Sequence, residues 1–235
     1  MALDVYVGSL TRYYAGDWEN VAERSARERG VGPQIARPRR PSDRQREVER
    51  ARPTVQAWRT ALGASLTSNV AMGSLDWDES PEAPHFTGRP GWDCFGSLVL
   101  WAAYAEYPAL PRPASLPEEW DDDPALLRSN ADGSRYSHLV RNVELWLPSP
   151  FEFTFEGEDV DGRRIVVGSV MTLARQLAEL NGATWKVGDG EVAAWAQSAP
   201  ADDAMLEFKA RHAFAILTDL ARQAVDNRLP MKLDY

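Results

Sequence analysis

The sequence predicts an α+β fold: a helix-rich single domain over residues 1–235, built on a small, mostly antiparallel sheet. Three observations predict it. A short alternating segment opens the chain, and two β-rich segments near 151–167 flank an Asp-Gly turn. Long stretches with apolar residues three or four positions apart fill much of the remainder. A chain of 235 residues, 44% hydrophobic and with nine Trp, has the apolar bulk for a substantial core.

Leu3, Val5 and Val7 alternate with Asp4, Tyr6 and Gly8, which reads as a strand with one buried face. A polar and aromatic link follows from Thr11 to Gly16. Asp17 is then placed to cap a helix running to Arg29, with Trp18, Val21 and Ala22 inward and Gly30 as its stop. Pro33, Pro38 and Pro41 mark a linker. Ser42 can cap a second helix that Pro53 kinks or restarts, with Val55, Trp58, Leu62 and Leu66 on its apolar face. Thr67 to Pro90 reads as irregular and acidic.

Asp93 to Glu106 is apolar nearly all round, the signature of a central buried helix. A proline-rich loop, Pro108 to Pro117, leads into the acidic run Glu118, Glu119, Asp121, Asp122, Asp123. Short helices are expected at Pro124–Ser129 and Tyr136–Asn142. Strands are expected at Glu144–Leu147, Phe151–Glu156 and Arg163–Val167, the last two joined through Asp161-Gly162. Ser169 caps an amphipathic helix carrying Val170, Leu173, Leu177 and Leu180. The last helix, Asp202 to Asn227, bears Met205, Phe208, Ala213, Ile216, Leu217, Leu220 and Ala224 as its apolar stripe, and Pro230 ends it.

The net charge of −9 is unevenly spread. From Arg24 to Arg59 there are eleven Arg against four acids, a net of +7; from Asp76 to Asp123 there are eleven acids against two Arg, a net of −9. The overall sign disfavours nucleic acid as a partner, and the asymmetry predicts that the two segments face each other. The most apolar stretch, Phe95 to Ala105, is far shorter than the ~20 residues that cross a bilayer. The opening has no basic region followed by an apolar run, so the expected location is the cytoplasm, without membrane contact.

Two groupings are candidate sites. Asp76, Asp78, Glu79 and His85 gather hard oxygen donors and one imidazole, a set that can hold a divalent cation or simply form an acidic surface. Arg12, Tyr13 and Tyr14 leave the first strand and can line a binding cleft or cover a sheet edge. The run Glu156 to Gly162 lacks the spacing of a calcium loop and is explained by a hairpin turn. Cys94, the only cysteine, starts a helix beside Trp92 and Phe95, where a small buried apolar role outweighs nucleophilic chemistry. His212 reads as a hydrogen-bonded, semi-buried residue. No glycine-rich phosphate loop, nucleophile elbow or other cofactor signature is present, so no cofactor is expected.

The opening Leu3-Asp4-Val5-Tyr6-Val7-Gly8-Ser9-Leu10-Thr11-Arg12-Tyr13-Tyr14 resembles the start of a bacterial protein family of unknown function. The helix start Gly91-Trp92-Asp93-Cys94-Phe95-Gly96 and the Leu229-Pro230 ending resemble it too. The resemblance implies a bacterial cytosolic protein and assigns no role to any residue. Two functional readings follow. The first is a non-catalytic binding protein of inhibitor or immunity type that masks a basic protein partner, favoured by the acidic bias and the surplus of Trp. The alternative is an enzyme with a carboxylate-based site, with or without a metal, built from Asp76, Asp78, Glu79 and His85 or from Arg12, Tyr13 and Tyr14.

Overall fold

The computed structural model describes residues 2–30, 41–69, 75–80 and 82–235, leaving aside the side chains of 41, 42 and 67–69. The alternating opening forms β1 (Asp4–Val7). Ser9 then caps α1 (Leu10–Ala15), its side chain accepting from the Arg12 N–H, and Gly16 closes the helix in the left-handed conformation at φ 61°. The expected link from Thr11 to Gly16 is therefore a helix. It is too short for periodicity to show, and its caps alone define it.

Asn20, not Asp17, caps α2 (Val21–Glu28) through a reciprocal pair with Glu23. No residue of α2 is buried, so the inward positions expected for Val21 and Ala22 are not realised. The linker with Pro33 and Pro38 lies outside the described residues. Pro53 falls inside a helix that is continuous as α3 (Pro41–Asn69). Val55, Trp58, Leu62 and Leu66 do make its inward stripe, with Val55 and Leu66 buried.

The acidic stretch contains an unexpected three-residue strand, β2 (Phe86–Gly88). Next comes α4 (Trp92–Glu106), whose residues Cys94 to Tyr104 are all buried, as its uniform apolarity requires. A 3-10 turn at Trp120–Asp122 leads to α5 (Pro124–Asp132), capped by Asp123, and to α6 (Ser137–Val140). Strands β3 (Val143–Leu147), β4 (Phe155–Glu158) and β5 (Arg164–Ser169) follow. Ser169 caps α7 (Val170–Ala183). The chain ends with α8 (Asp189–Gln197), α9 (Leu206–Asn227) and β6 (Met231–Asp234).

Among the described residues the strands form one six-stranded sheet in the order β2-β1-β6-β3-β5-β4. This is neither the small sheet nor the mostly antiparallel one expected: the sheet is mixed. β4 and β5 pair antiparallel across the turn at Asp159 to Gly162, with Phe155 opposite Val167 and Glu158 opposite Arg164. That hairpin returns β5 into the gap beside β3, so β3 and β5 run parallel. The expected strand from Phe151 begins only at Phe155. Phe151 and Phe153 precede it, and their rings still pack on Phe155 at 6.1 and 6.0 Å between centroids. β2 and β6 are three and four residues long, too short for their alternation to stand out.

The two sheet faces are both covered. Val5, Val7, Met231, Leu233, Val143 and Trp146 pack against α4, α7 and α9. Leu145, Leu147, Ile165 and Val167 face Leu10 of α1, Val55 of α3, Trp77 and Phe151. A register shift between Val143 and Leu145 explains how those two residues serve opposite faces although they are two apart.

Candidate functional site

The residues leaving β1 gather around Tyr6: its ring lies 5.4 Å from Tyr13 and 6.4 Å from His85, which Arg12 contacts, and Tyr13 lies 5.1 Å from Tyr14. Arg12 reaches the segment that leads into β2: its Nη1 donates to the Ala83 carbonyl at 2.6 Å and meets His85 Nδ1 at 3.0 Å. A guanidinium can only donate, so that imidazole nitrogen accepts and the ring carries its proton on Nε2. Burial, then the Arg12 charge, lowers the His85 pKa below the ordinary imidazole value.

Tyr13 and Tyr14 lie over the sheet. Tyr13 donates to Asp234 Oδ1 at 2.7 Å, and its ring carries the buried Lys232 ammonium 5.5 Å from the centroid. Asp159 acts on Tyr14 from close by. Burial, followed by the neighbouring carboxylates, raises both phenol pKa values well above the ordinary range, so the rings act as neutral donors. Lys232 Nζ stands 3.5 Å from Asp159 Oδ2, and both side chains are at most 5% exposed. Asp159 Oδ1 also accepts the N–H groups of Asp161 and Arg163, closing the β4–β5 turn. This polar layer holds α1 and the hairpin to the second sheet face, and its lysine is sealed from solvent.

The second grouping divides. Asp76 and Asp78 are exposed, while Trp77 and Glu79 are buried. Asp78 folds back on Ser80, accepting from its N–H at 2.7 Å and its hydroxyl at 3.0 Å. Glu79 caps α1: Oε1 accepts the Leu10 N–H at 3.1 Å, Oε2 accepts the Thr11 N–H at 2.7 Å, and the Trp77 indole N–H donates to Oε1. His85 is held by Arg12. Among the described residues no three His, Cys, Asp or Glu side chains are grouped to hold a metal ion.

The basic and acidic segments meet through Arg59. Its Nη1 donates to the Trp77 carbonyl at 2.9 Å and lies 4.0 Å from Asp76 Oδ1, with the guanidinium 5.2 Å from the Trp77 ring centroid. Arg24 donates to the Thr87 carbonyl at 3.1 Å. Arg44 instead pairs with Asp17, at 3.5 Å, outside both segments. Arg46 and Arg50 are exposed. Arg37, Arg39 and Arg40 lie outside the described residues. The carboxylates Glu118, Glu119, Asp121 and Asp122 stand in water.

A different surface collects exposed acids with apolar side chains. At the start of α9, Lys209 Nζ bonds the Asp202 carbonyl at 2.6 Å and Asp93 Oδ2 at 3.5 Å, tying the beginnings of α4 and α9 together. One turn along α4 from Asp93, Gly96 leaves room for the Trp120 ring: a Cβ there would fall 2.8 Å from it. That contact seats the exposed Asp121 and Asp122 nearby. The Leu206 N–H bonds the Ala114 carbonyl at 2.9 Å and fixes the loop that carries this run. Asp202 and Asp203 are exposed beside Met205 and Phe208, which are 54% and 51% exposed. The apolar stripe read from the sequence places both inward, and the structure turns them out. Phe208 comes two residues after the buried Leu206, about 200° round a helix, so the stripe Leu206, Ala210, Ala213, Leu217 turns it outward.

Cys94 is buried, and burial pushes its thiol up to about 11, so it stays protonated at neutral pH. His212 is buried on α9, with Nδ1 at 3.0 Å from the Trp195 carbonyl. No helix among the described residues is long and apolar enough to cross a membrane. No protein-family model matches the chain, and neither a curated protein nor a solved structure matches it.

Proposed function

We propose that the chain is a non-catalytic binding protein that receives a basic protein partner on the face where α4 and α9 begin. An inhibitor or immunity-type role in a bacterial cytoplasm fits this reading. The observation that carries it is the exposure of Met205 and Phe208 within a few residues of the exposed Asp202 and Asp203, at the helix start that Lys209 ties to Asp93. Arg211 lies over Phe208, its guanidinium 5.8 Å from the ring centroid, and exposed apolar side chains beside nearby carboxylates suit a partner of opposite charge: the apolar side chains supply affinity, and the carboxylates supply steering and discrimination. The net charge of −9 adds long-range attraction for a cationic partner.

A labelled amphipathic peptide rich in Lys and Arg, compared with its Glu-substituted counterpart, tests this by fluorescence anisotropy. The cationic peptide is expected to bind saturably, to weaken steeply between about 50 and 500 mM salt (screening lengths of roughly 14 and 4 Å), and to lose at least about tenfold affinity with Phe208→Ser. Binding that ignores both Phe208→Ser and the Asp202→Asn/Asp203→Asn pair would refute the assignment of this face.

A further inference from the structure

We infer that the basic partner anchors itself with an aromatic side chain, which stacks on the guanidinium of Arg112 and extends a tier founded on Trp101. The inference rests on the binding face proposed above and names a residue type which that face selects. Arg112 lies on the proline-rich loop, between Pro111 and Pro113. Two residues on, the Ala114 carbonyl accepts the Leu206 N–H at 2.9 Å, which pins this part of the loop to the start of α9, next in sequence to Met205. The Arg112 guanidinium sits 3.7 Å over the Trp101 ring centroid, in contact with the indole face. Tyr104, one turn along α4, lies 5.9 Å from the same guanidinium. Trp101 is only 7% exposed, and Trp185 also stacks on it, at 5.5 Å with the planes 12° apart. The base of the tier is therefore fixed core. Arg112 is exposed, so the side of its plane away from α4 is open.

The surroundings decide what covers that open side. Among the described residues Arg112 has neither a hydrogen bond nor an ion pair, and Glu207 acts on it by charge from farther off. Glu207 Oε1 is itself taken by the Trp185 indole N–H at 3.1 Å and by Arg211. A carboxylate from the partner would meet Glu207 and the exposed Asp202 and Asp203, under a net charge of −9, and would be repelled. An aliphatic side chain would strip water from the cation and return no electrostatic attraction. An aromatic ring covers the cation and offers it the negative face of its quadrupole. The planar guanidinium can hold a ring on each side, which a compact ammonium cannot. Arg211 shows the same chemistry with rings from two helices: its guanidinium lies 5.0 Å from Trp195 of α8 and 5.8 Å from Phe208 of α9. At Arg112 both rings come from α4, which leaves the outer place for the partner, while Asp202 and Asp203 take the partner's cations.

The test uses the full chain and the labelled cationic peptide, made as a series with Phe placed in turn at each apolar position and, for each, a twin carrying cyclohexylalanine there. The saturated ring has the same skeleton, is the more hydrophobic of the two and lacks the quadrupole. At one position or more, Phe is expected to bind about three- to tenfold more tightly than its twin. Arg112→Gln should erase that preference and leave the salt dependence and the loss with Phe208→Ser in place. Arg112→Lys, which keeps the charge without the planar face, should retain only part of it. Far-ultraviolet dichroism and a thermal melt show whether each variant is folded. Arg112 covers Trp101, so its loss can weaken every peptide through the core; the ratio between twins does not carry that effect. Equal affinity of the twins at all positions, or a preference that survives Arg112→Gln, overturns the inference, and salt- and Phe208-dependent binding would then leave the binding face standing. No saturable binding of any peptide to the folded protein would overturn both.

Discussion

Replacing Glu79 by Ala removes a carboxylate on which three buried donors depend. The Leu10 and Thr11 N–H groups belong to the first turn of α1 and have no intrahelical acceptor; Glu79 receives both, together with the Trp77 indole. Hydrogen bonds to a charged group contribute about 1.5–3 kcal/mol each, and a buried donor left without a partner costs about 1–3 kcal/mol. The three share one side chain, so their losses are not additive, and a total of about 3–5 kcal/mol is expected. Glu79→Gln keeps one oxygen but sets an amide N–H₂ against one of the backbone donors, so about 1–3 kcal/mol should go. Urea unfolding monitored by Trp fluorescence measures both. The order wild type, Gln, Ala in midpoint, with an unchanged slope, is expected. The same losses should appear in the presence of EDTA, because the carboxylate serves backbone and not a cation. An Ala variant within about 1 kcal/mol of wild type, or a destabilisation that exists only when divalent ions are supplied, would refute the capping role.

Leu98 is fully buried on α4, and Leu98→Ala should cost about 2–5 kcal/mol in the same unfolding assay; under half a kilocalorie would place that helix at the surface. A Cβ at Gly168 would fall 2.8 Å from His138 Nδ1 and 3.0 Å from Val143 Cγ1, so Gly168→Ala should cost about 1–3 kcal/mol, visible as a lowered urea midpoint. Burial lowers the pKa values of His138 and His85, so the unfolded chain binds more protons than the native one as pH falls through the unfolded value of about 6.5. Stability present above that value should therefore decline between pH 7 and 5.5, before carboxylates titrate; a urea midpoint that is flat or rises on acidification contradicts the neutral, buried state of His138.

The helices and strands legible in the sequence are those whose pattern exceeds one turn or one alternation. α4 is apolar nearly all round between Cys94 and Tyr104, and α7 has both a capping serine and a regular stripe. The β4–β5 turn is written in Asp161-Gly162, where Gly162 takes φ 78°. What escaped is short or defined at a distance. β6 exists because Met231 and Leu233 complete the face over α4 and α9 while β1 and β3 supply partners from far along the chain. α8 has no buried residue and a weak apolar face, so no stripe announces it.

The candidate metal grouping shows why adjacency of ligand types is a poor guide. Asp76-Trp77-Asp78-Glu79 lies in no helix or strand, and where a chain runs extended successive side chains point to opposite sides. Its exposures alternate accordingly: Asp76 and Asp78 outward, Trp77 and Glu79 inward. A cation needs its carboxylates to converge, and a two-residue period sends Glu79 to the opposite side from both aspartates. Once Trp77 is assigned to the core, as its size favours, the same period commits Glu79 to the interior, where a carboxylate must find donors. Within the described structure the first turn of α1 and the Trp77 indole provide them. The acidic tetrad thus resolves into a buried helix cap and two solvated carboxylates, a division that follows from Trp77 and the period of the backbone.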